Sequence, residues 1–264
     1  MSKTIAIIGT GVIGAGWTTR LLAHGHKVRA FDLAPDFADP LKDKVSHALS
    51  TLERKGLASD VGLENLTTHN SLIDACNGAG WVQENAPENI DIKHQVHRQI
   101  EAAVSDNTII ASSSSGLLPS DIATVFEHPE RLIIGHPFNP VYLLPLVEVV
   151  GGKQTSSETI ELAKSFYQSL DMHALHVRKE IEGYLSDRLQ EALWREILHL
   201  VNDDIATTEE LDDAIIYGPG LRWAIMGTCL TFHLAGGNDG MRHMLEQFGP
   251  ALKLPWTKLE APEL

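Results

Sequence analysis

Three stretches of this sequence carry side chains arranged for chemistry. The first is Gly9-Thr-Gly11-Val12-Ile13-Gly14, a GxGxxG run. A β-branched apolar stretch precedes it and a helical pattern follows, the setting in which such a run cradles a dinucleotide. Gly9 permits a tight turn, Gly11 lets backbone approach a pyrophosphate, and Gly14 allows close helix–strand packing, with Val12 and Ile13 in the variable places. The helix that follows offers free N–H groups and a partial positive charge to the anion. The second is Asp32, which closes the next apolar stretch. A carboxylate there accepts hydrogen bonds from both ribose hydroxyls and repels a 2′-phosphate, so NAD is expected rather than NADP. The third is His136, in His-Pro-Phe-Asn-Pro, with Glu148 on the following apolar run. If the segment between them folds back, the two side chains meet. A histidine held by a carboxylate is a stronger base with a fixed ring. Pro137 and Pro140 stiffen the turn and withhold backbone donors. The chain has 13 histidines, so identity alone does not single out His136.

Those groups need elements to carry them. Apolar runs at 5–8, 28–31, 80–83, 107–111, 132–135, 146–150 and 174–177 read as strands. Helical patterns at 13–24, 36–55, 88–104, 119–126 and 157–170 lie between them. Alternation of this kind predicts an α/β, Rossmann-type, doubly wound and mostly parallel sheet. After Gly183 the pattern changes. Segments 184–202, 208–217, 221–234 and 241–248 all read as helix, broken at Gly218-Pro219-Gly220 and Gly236-Gly237. A nucleotide-binding domain over 1–183 and an all-helical domain over 184–264 are therefore expected.

Composition limits the partners. The formal charge is −14, with 43% hydrophobic and 21% charged residues. That balance is globular, and it argues against nucleic acid or an anionic membrane as partner, since both need clustered Lys and Arg. The apolar run at 5–8 is too short to span a bilayer and is broken by glycine. Cys76 and Cys229 form no CxxC and no metal-type cluster. No metal is expected, and two lone cysteines fit a reducing, cytoplasmic setting.

At this point the sequence resembles the 3-hydroxyacyl-CoA dehydrogenase family. The matching pieces are Gly9–Gly14, Asp32, ENIDIK at 88–93, the serine run 112–115, HPFNP at 136–140, LVEVV at 146–150 and EGYLSDRL at 182–189. The resemblance implies NAD as cofactor and a small 3-hydroxy acid as substrate. It makes His136 the general base and Glu148 its partner. Ser115 matches the serine at the substrate hydroxyl, Asn139 the asparagine that positions substrate, and Glu88 and Lys93 cofactor-contacting positions. It also implies a homodimer formed through the helical domain. Relatives usually continue further at the C-terminus, so the helical domain is expected to be incomplete there.

Three departures bear on the substrate. The family has Asn-Arg-Leu where this chain has Asp187-Arg188-Leu189, so a neutral amide has become a carboxylate. The serine run replaces Ser-Asn-Thr-Ser. The helix after Asp32 lacks a lysine cluster for a CoA phosphate. The C-terminal half is most similar to the carnitine 3-dehydrogenase branch, through WREILHLVN, GMRH and FGPALKLPWTKL, with the gulonate 3-dehydrogenase and lambda-crystallin branch next. L-carnitine carries a 3-hydroxyl, a carboxylate and a trimethylammonium. The last has no N–H and is best held by aromatic faces, worth about 0.5–2 kcal/mol each. Trp194, Trp223, Trp256, Tyr184, Tyr142 and Phe232 are the candidate rings, Asp187 the candidate anion, and Arg222 the candidate partner of the carboxylate. A gulonate or acyl-CoA substrate is the alternative. A crystallin-like structural protein that keeps NAD is another, against which the intact Ser115, His136, Asn139 and Glu148 set argues.

Overall fold

The computed structural model describes residues 2–57, 62–253, 257–258 and 260–263. The chain divides into two units, Met1–Leu185 and Ser186–Leu264. The first is built on eight strands: β1 (Thr4–Ile8), β2 (Lys27–Phe31), β3 (Leu66–Thr68), β4 (Trp81–Glu84), β5 (Ile109–Ser112), β6 (Leu132–Pro137), β7 (Leu146–Val150) and β8 (His173–Val177). Six helices join them: α1 (Val12–Ala23), α2 (Ala38–Arg54), α3 (Leu72–Cys76), α4 (Ile90–Ala103), α5 (Pro119–Ile122) and α6 (Ser157–Gln168). The strands run in the order β3-β2-β1-β4-β5-β6-β7-β8. All neighbouring pairs are parallel except β6 and β7.

Why these segments form strands shows in β1. Its residues are mostly β-branched and alternate between two cores. Ile5 and Ile7 face one, with Trp17, Leu21 and Leu22 of α1, Val45 and Leu49 of α2, and Phe166 of α6. Ala6 and Ile8 face the other, with Ala75 of α3, Val96 and Ile100 of α4, and Ile122 of α5. The sheet is therefore apolar on both faces, as a doubly wound sheet must be. The chain leaves β1 toward β2 and β3, then returns to pair β4 on the other side of β1. That reversal puts a crevice at the carboxyl ends of β1 and β4, where ligands bind in folds of this kind.

Two elements of this unit differ from the sequence reading. Edge strand β3 was not expected, because only Leu66 of its three residues is buried and it carries no alternating pattern. Helix α3 is a short turn capped by the Ser71 side chain. The second unit holds α7 (Ser186–Asn202), α8 (Thr208–Ile216), α9 (Pro219–Trp223), α10 (Thr228–Ala235) and α11 (Gly240–Phe248). The single helix expected over 221–234 is two, α9 and α10, because Gly227 adopts an extended conformation at the start of α10. Among this unit's described residues only Gly236 and Gly240 are buried.

Candidate active site

The dinucleotide turn sits at the crevice between β1 and β4. Gly9 has a φ of +89°, which only glycine adopts without strain, and a Cβ there would lie 2.6 Å from the Asn85 carbonyl oxygen. A Cβ on Gly14 would lie 1.9 Å from the Gly9 carbonyl oxygen, so the helix meets the turn at backbone contact. A Cβ on Gly11 would meet nothing, which leaves the open space that a phosphate requires. Helix α1 begins with no side-chain cap. Its first N–H groups are thereby left to a ligand.

Asp32 borders this turn. Its Oδ2 accepts the Thr10 N–H at 2.6 Å and the Thr10 hydroxyl at 3.0 Å, and its Oδ1 accepts the Ala34 N–H at 3.0 Å. Burial alone would raise this carboxyl, but the N–H groups of Ala34 and Thr10 and the Thr10 hydroxyl outweigh it and hold it below its ordinary value. The group is an anion at neutral pH, as a partner of ribose hydroxyls should be. Two cavities meet at Asp32, of about 500 and 450 Å³. The larger has apolar walls from Leu33, Pro87, Ile92 and Val96, suited to a nucleoside base. Glycine cradle, uncapped helix, ionised Asp32 and apolar cavity together fit NAD.

His136 and Glu148 stand directly opposite one another in the antiparallel β6–β7 pair. Their side chains meet with Nδ1 3.0 Å from Oε2. Both are buried, Glu148 at 0% exposure. The other oxygen of Glu148 accepts the Leu185 N–H at 3.0 Å. A carboxylate at Nδ1 favours the imidazole tautomer that carries its proton there, which makes Nε2 the basic nitrogen. The imidazole contacts the rings of Phe138 and Tyr184, each with its centroid 5.5 Å away. Tyr184 is fully buried and its hydroxyl donates to the Leu117 carbonyl. Asn139 is exposed on the turn after β6.

Ser115 is exposed on the turn that follows β5. That turn is shaped by Glu88. One oxygen of Glu88 accepts the Ser114 hydroxyl at 2.5 Å and the N–H groups of Ser115, Gly116 and Leu117 at 3.1, 2.9 and 3.1 Å. Burial pushes the Glu88 carboxyl up, but these bonds and the Lys93 charge prevail and keep it below its usual range. Lys93 is 1% exposed. Its ammonium bonds both oxygens of Glu84 and the Ala86 carbonyl, and lies 3.7 Å from Glu88. The structure thus sets Lys93 beneath the cleft, on carboxylates of its own chain. His97, one turn further along α4, has neither ring nitrogen hydrogen-bonded among the described residues, and burial pushes its pKa down to about 4.

The substrate residues expected in the helical part lie on three helices of the second unit. Asp187 is in the first turn of α7 with Trp194 further along it, and Arg222 and Trp223 end α9. Trp194 and Trp223 are 51% and 42% exposed. Phe232 is on α10, Tyr142 packs against the first unit's core, and Trp256 lies outside the described residues. Sequence reasoning missed Glu84, Asn85 and Leu185. A Gln-Glu pair ending the otherwise apolar strand Trp81-Val82 was the available signal for Glu84; the Leu185 contribution is a backbone N–H and has no signature.

Comparison with known proteins identifies the family. The model of the 3-hydroxyacyl-CoA dehydrogenase NAD-binding domain matches residues 4–181, and that of the family's C-terminal domain matches residues 183–263. The chain belongs to the 3-hydroxyacyl-CoA dehydrogenase family. It is an NAD-dependent 3-hydroxy-acid dehydrogenase. The L-carnitine dehydrogenase of a Pseudomonas species is 56% identical over 262 residues, 99% of this chain and 82% of that one. The L-carnitine dehydrogenase of Oceanobacillus iheyensis is also 56% identical, over 99% of this chain and 85% of its own. Among solved structures, 5-formyl-3-hydroxy-2-methylpyridine 4-carboxylic acid 5-dehydrogenase, an NAD+-dependent dismutase, superposes with a TM-score of 0.89 at 30% identity, covering 100% of this chain and 84% of that one. The (S)-3-hydroxybutyryl-CoA dehydrogenase of Ralstonia eutropha shares the fold, with a TM-score of 0.75 at 24% identity, over 96% of this chain and 89% of that one.

Proposed function

We propose that this family member oxidises the 3-hydroxyl of L-carnitine to 3-dehydrocarnitine. Identity of 56% across 99% of the chain to L-carnitine dehydrogenases carries the choice of substrate. When bound, NAD supplies the hydride acceptor. His136 takes the hydroxyl proton on Nε2, because Glu148 occupies Nδ1. Glu148, buried against the ring, stabilises the imidazolium that results. Ser115 and Asn139 hold the oxygen whose charge changes during the reaction. Gly9, Gly11, Val12, Ile13, Gly14 and Asp32 receive the cofactor, with Glu88 and Lys93 shaping the edge of its cleft. Aromatic faces of Trp194 and Trp223 with Asp187 suit a trimethylammonium, and Arg222 suits a carboxylate.

The acting species is a homodimer in this reading. Leu189, Ile205, Tyr217, Leu221, Ile225 and Leu252 are each more than half exposed on the helical unit. Large apolar side chains exposed in this number suit burial against a second copy. The setting is the cytoplasm, where Cys76 and Cys229 stay as free thiols.

Initial-rate NADH formation with L-carnitine, D-carnitine, L-gulonate and 3-hydroxybutyryl-CoA at matched concentrations tests the proposal. The expected result is a rate with L-carnitine alone. A rate only with gulonate or the CoA ester keeps the His136–Glu148 chemistry and overturns the substrate. Tight NAD binding with no rate on any of them favours the crystallin-like reading.

A further inference from the structure

Ser113 belongs to the serine run but has no place in the site as described so far. Its hydroxyl is where three side chains meet. The Trp17 indole N–H donates to Oγ at 3.0 Å and the Gln83 amide N–H at 2.8 Å, while Oγ itself donates to Asn85 Oδ1 at 2.8 Å. Donor counting fixes these directions. An indole nitrogen only donates, and a hydroxyl has one proton and two lone pairs. The Gln83 amide is oriented in the same way: its Oε1 accepts the Tyr167 hydroxyl at 2.8 Å and the Trp81 indole N–H at 3.4 Å, so its Nε2 turns to Ser113. With both lone pairs of Ser113 filled, its proton goes to Asn85.

The Asn85 amide is then fixed as well. Its oxygen is committed to Ser113, and its NH2 faces the carbonyls of Ile8, Gly9 and Gln83 at 3.3, 3.5 and 2.9 Å. The first two carbonyls lead into the phosphate turn. The opposite, N–H-bearing side of the turn must face the ligand if it is to receive a pyrophosphate. Two indoles, which can only donate, thus set the direction of a polar chain that ends on the back of the cofactor turn.

We infer that Ser113 is a positioning residue for NAD binding, acting through Asn85 on the Ile8–Gly9 turn. The inference uses the NAD-binding unit alone, so it holds or fails independently of which hydroxy acid is oxidised. Its test is the NAD dissociation constant of the full chain, by calorimetry, beside the melting temperature. Ser113→Ala weakens NAD about tenfold, the loss expected from one well-placed hydrogen bond. Ser113→Thr keeps the hydroxyl and restores binding. Trp17→Phe removes one donor but leaves the Ser113–Asn85 bond, and stays within about twofold of wild type. The decisive comparison adds Ser113→Ala to Asn85→Ala: the double variant binds NAD no more weakly than Asn85→Ala alone. Additive losses overturn the inference, as does a lowered melting temperature with unchanged NAD affinity in Ser113→Ala. If Ser113→Ala does not fold, Asn85→Ala decides alone, and NAD affinity at the wild-type level overturns the proposal.

Discussion

The cofactor cradle and the His136–Glu148 pair lie on one sheet but are made in different ways. The cradle is a matter of backbone shape. Gly9 must take a left-handed φ, Gly14 must let two backbones touch, and α1 must start without a cap. Side chains enter mainly as support from behind. The pair is a matter of side-chain register. It exists because β6 and β7 run antiparallel with position 136 opposite position 148, the one antiparallel pairing among the described strands. A slip of one residue would turn one of the two side chains to the other face. In the proposed reaction, binding and proton transfer therefore rest on separate features and should fail separately.

The strongest break of that comparison is His136→Ala. Turnover should fall by at least about a thousandfold, in line with loss of a general base. NAD affinity should stay near wild type, and stopped-flow rates beside calorimetry would check both. Joint loss of binding and turnover would show that the two regions are not separable. Glu148→Gln comes next. It keeps the shape but replaces the carboxyl placed against the imidazole, so under the proposed mechanism turnover should drop about a hundredfold. The rate should also need higher pH only if some other group takes over as base; an unchanged rate would remove Glu148 from the mechanism.

Gly14→Ala attacks the other region. A Cβ at 1.9 Å from the Gly9 carbonyl forces helix and turn apart. NAD should bind at least about tenfold more weakly, with a stability loss of roughly 1–3 kcal/mol from overpacking. The His136–Glu148 pair should be untouched, which a histidine NMR titration would detect.

A further effect concerns stability against pH. His97 is buried with Glu84, Lys93, His94 and Glu101 around it, and its folded pKa of about 4 lies below the ordinary 6.5. The unfolded chain therefore binds this proton first. The stabilisation is present above about pH 6.5 and is lost as pH falls toward about 4, by no more than about 3 kcal/mol. Melting temperatures from pH 4 to 7 should fall with acid, and His97→Phe should flatten the slope. An unchanged slope would assign acid sensitivity to other groups.

How legible each part was follows from these differences. The GxGxxG run and Asp32 are local: one strand, one turn and one helix contain them, so their order along the chain already implies their geometry. The first unit's strand–helix alternation was legible for the same reason, since burial on both sheet faces leaves nearly unbroken apolar runs. Edge strand β3 and the break at Gly227 were not, because a half-exposed strand and a single extended glycine leave no periodic trace.

His136 and Glu148 could be named from the sequence, but their meeting depended on β7 turning back against β6. Lys93 shows the limit of residue identity. A lysine at the start of a helix looks solvated, and only the packing of α4 beneath the cleft buries it against Glu84. The Trp17–Ser113–Asn85 chain was invisible for the same physical reason. Its members lie far apart along the chain, and hydrogen bonds among them need angles and distances that only the packed sheet supplies. By itself the sequence determined the class of cofactor, the cradle and the candidate base, because these depend on residue type and local order. The tertiary structure decided which buried polar groups face one another, because that depends on strand order and register.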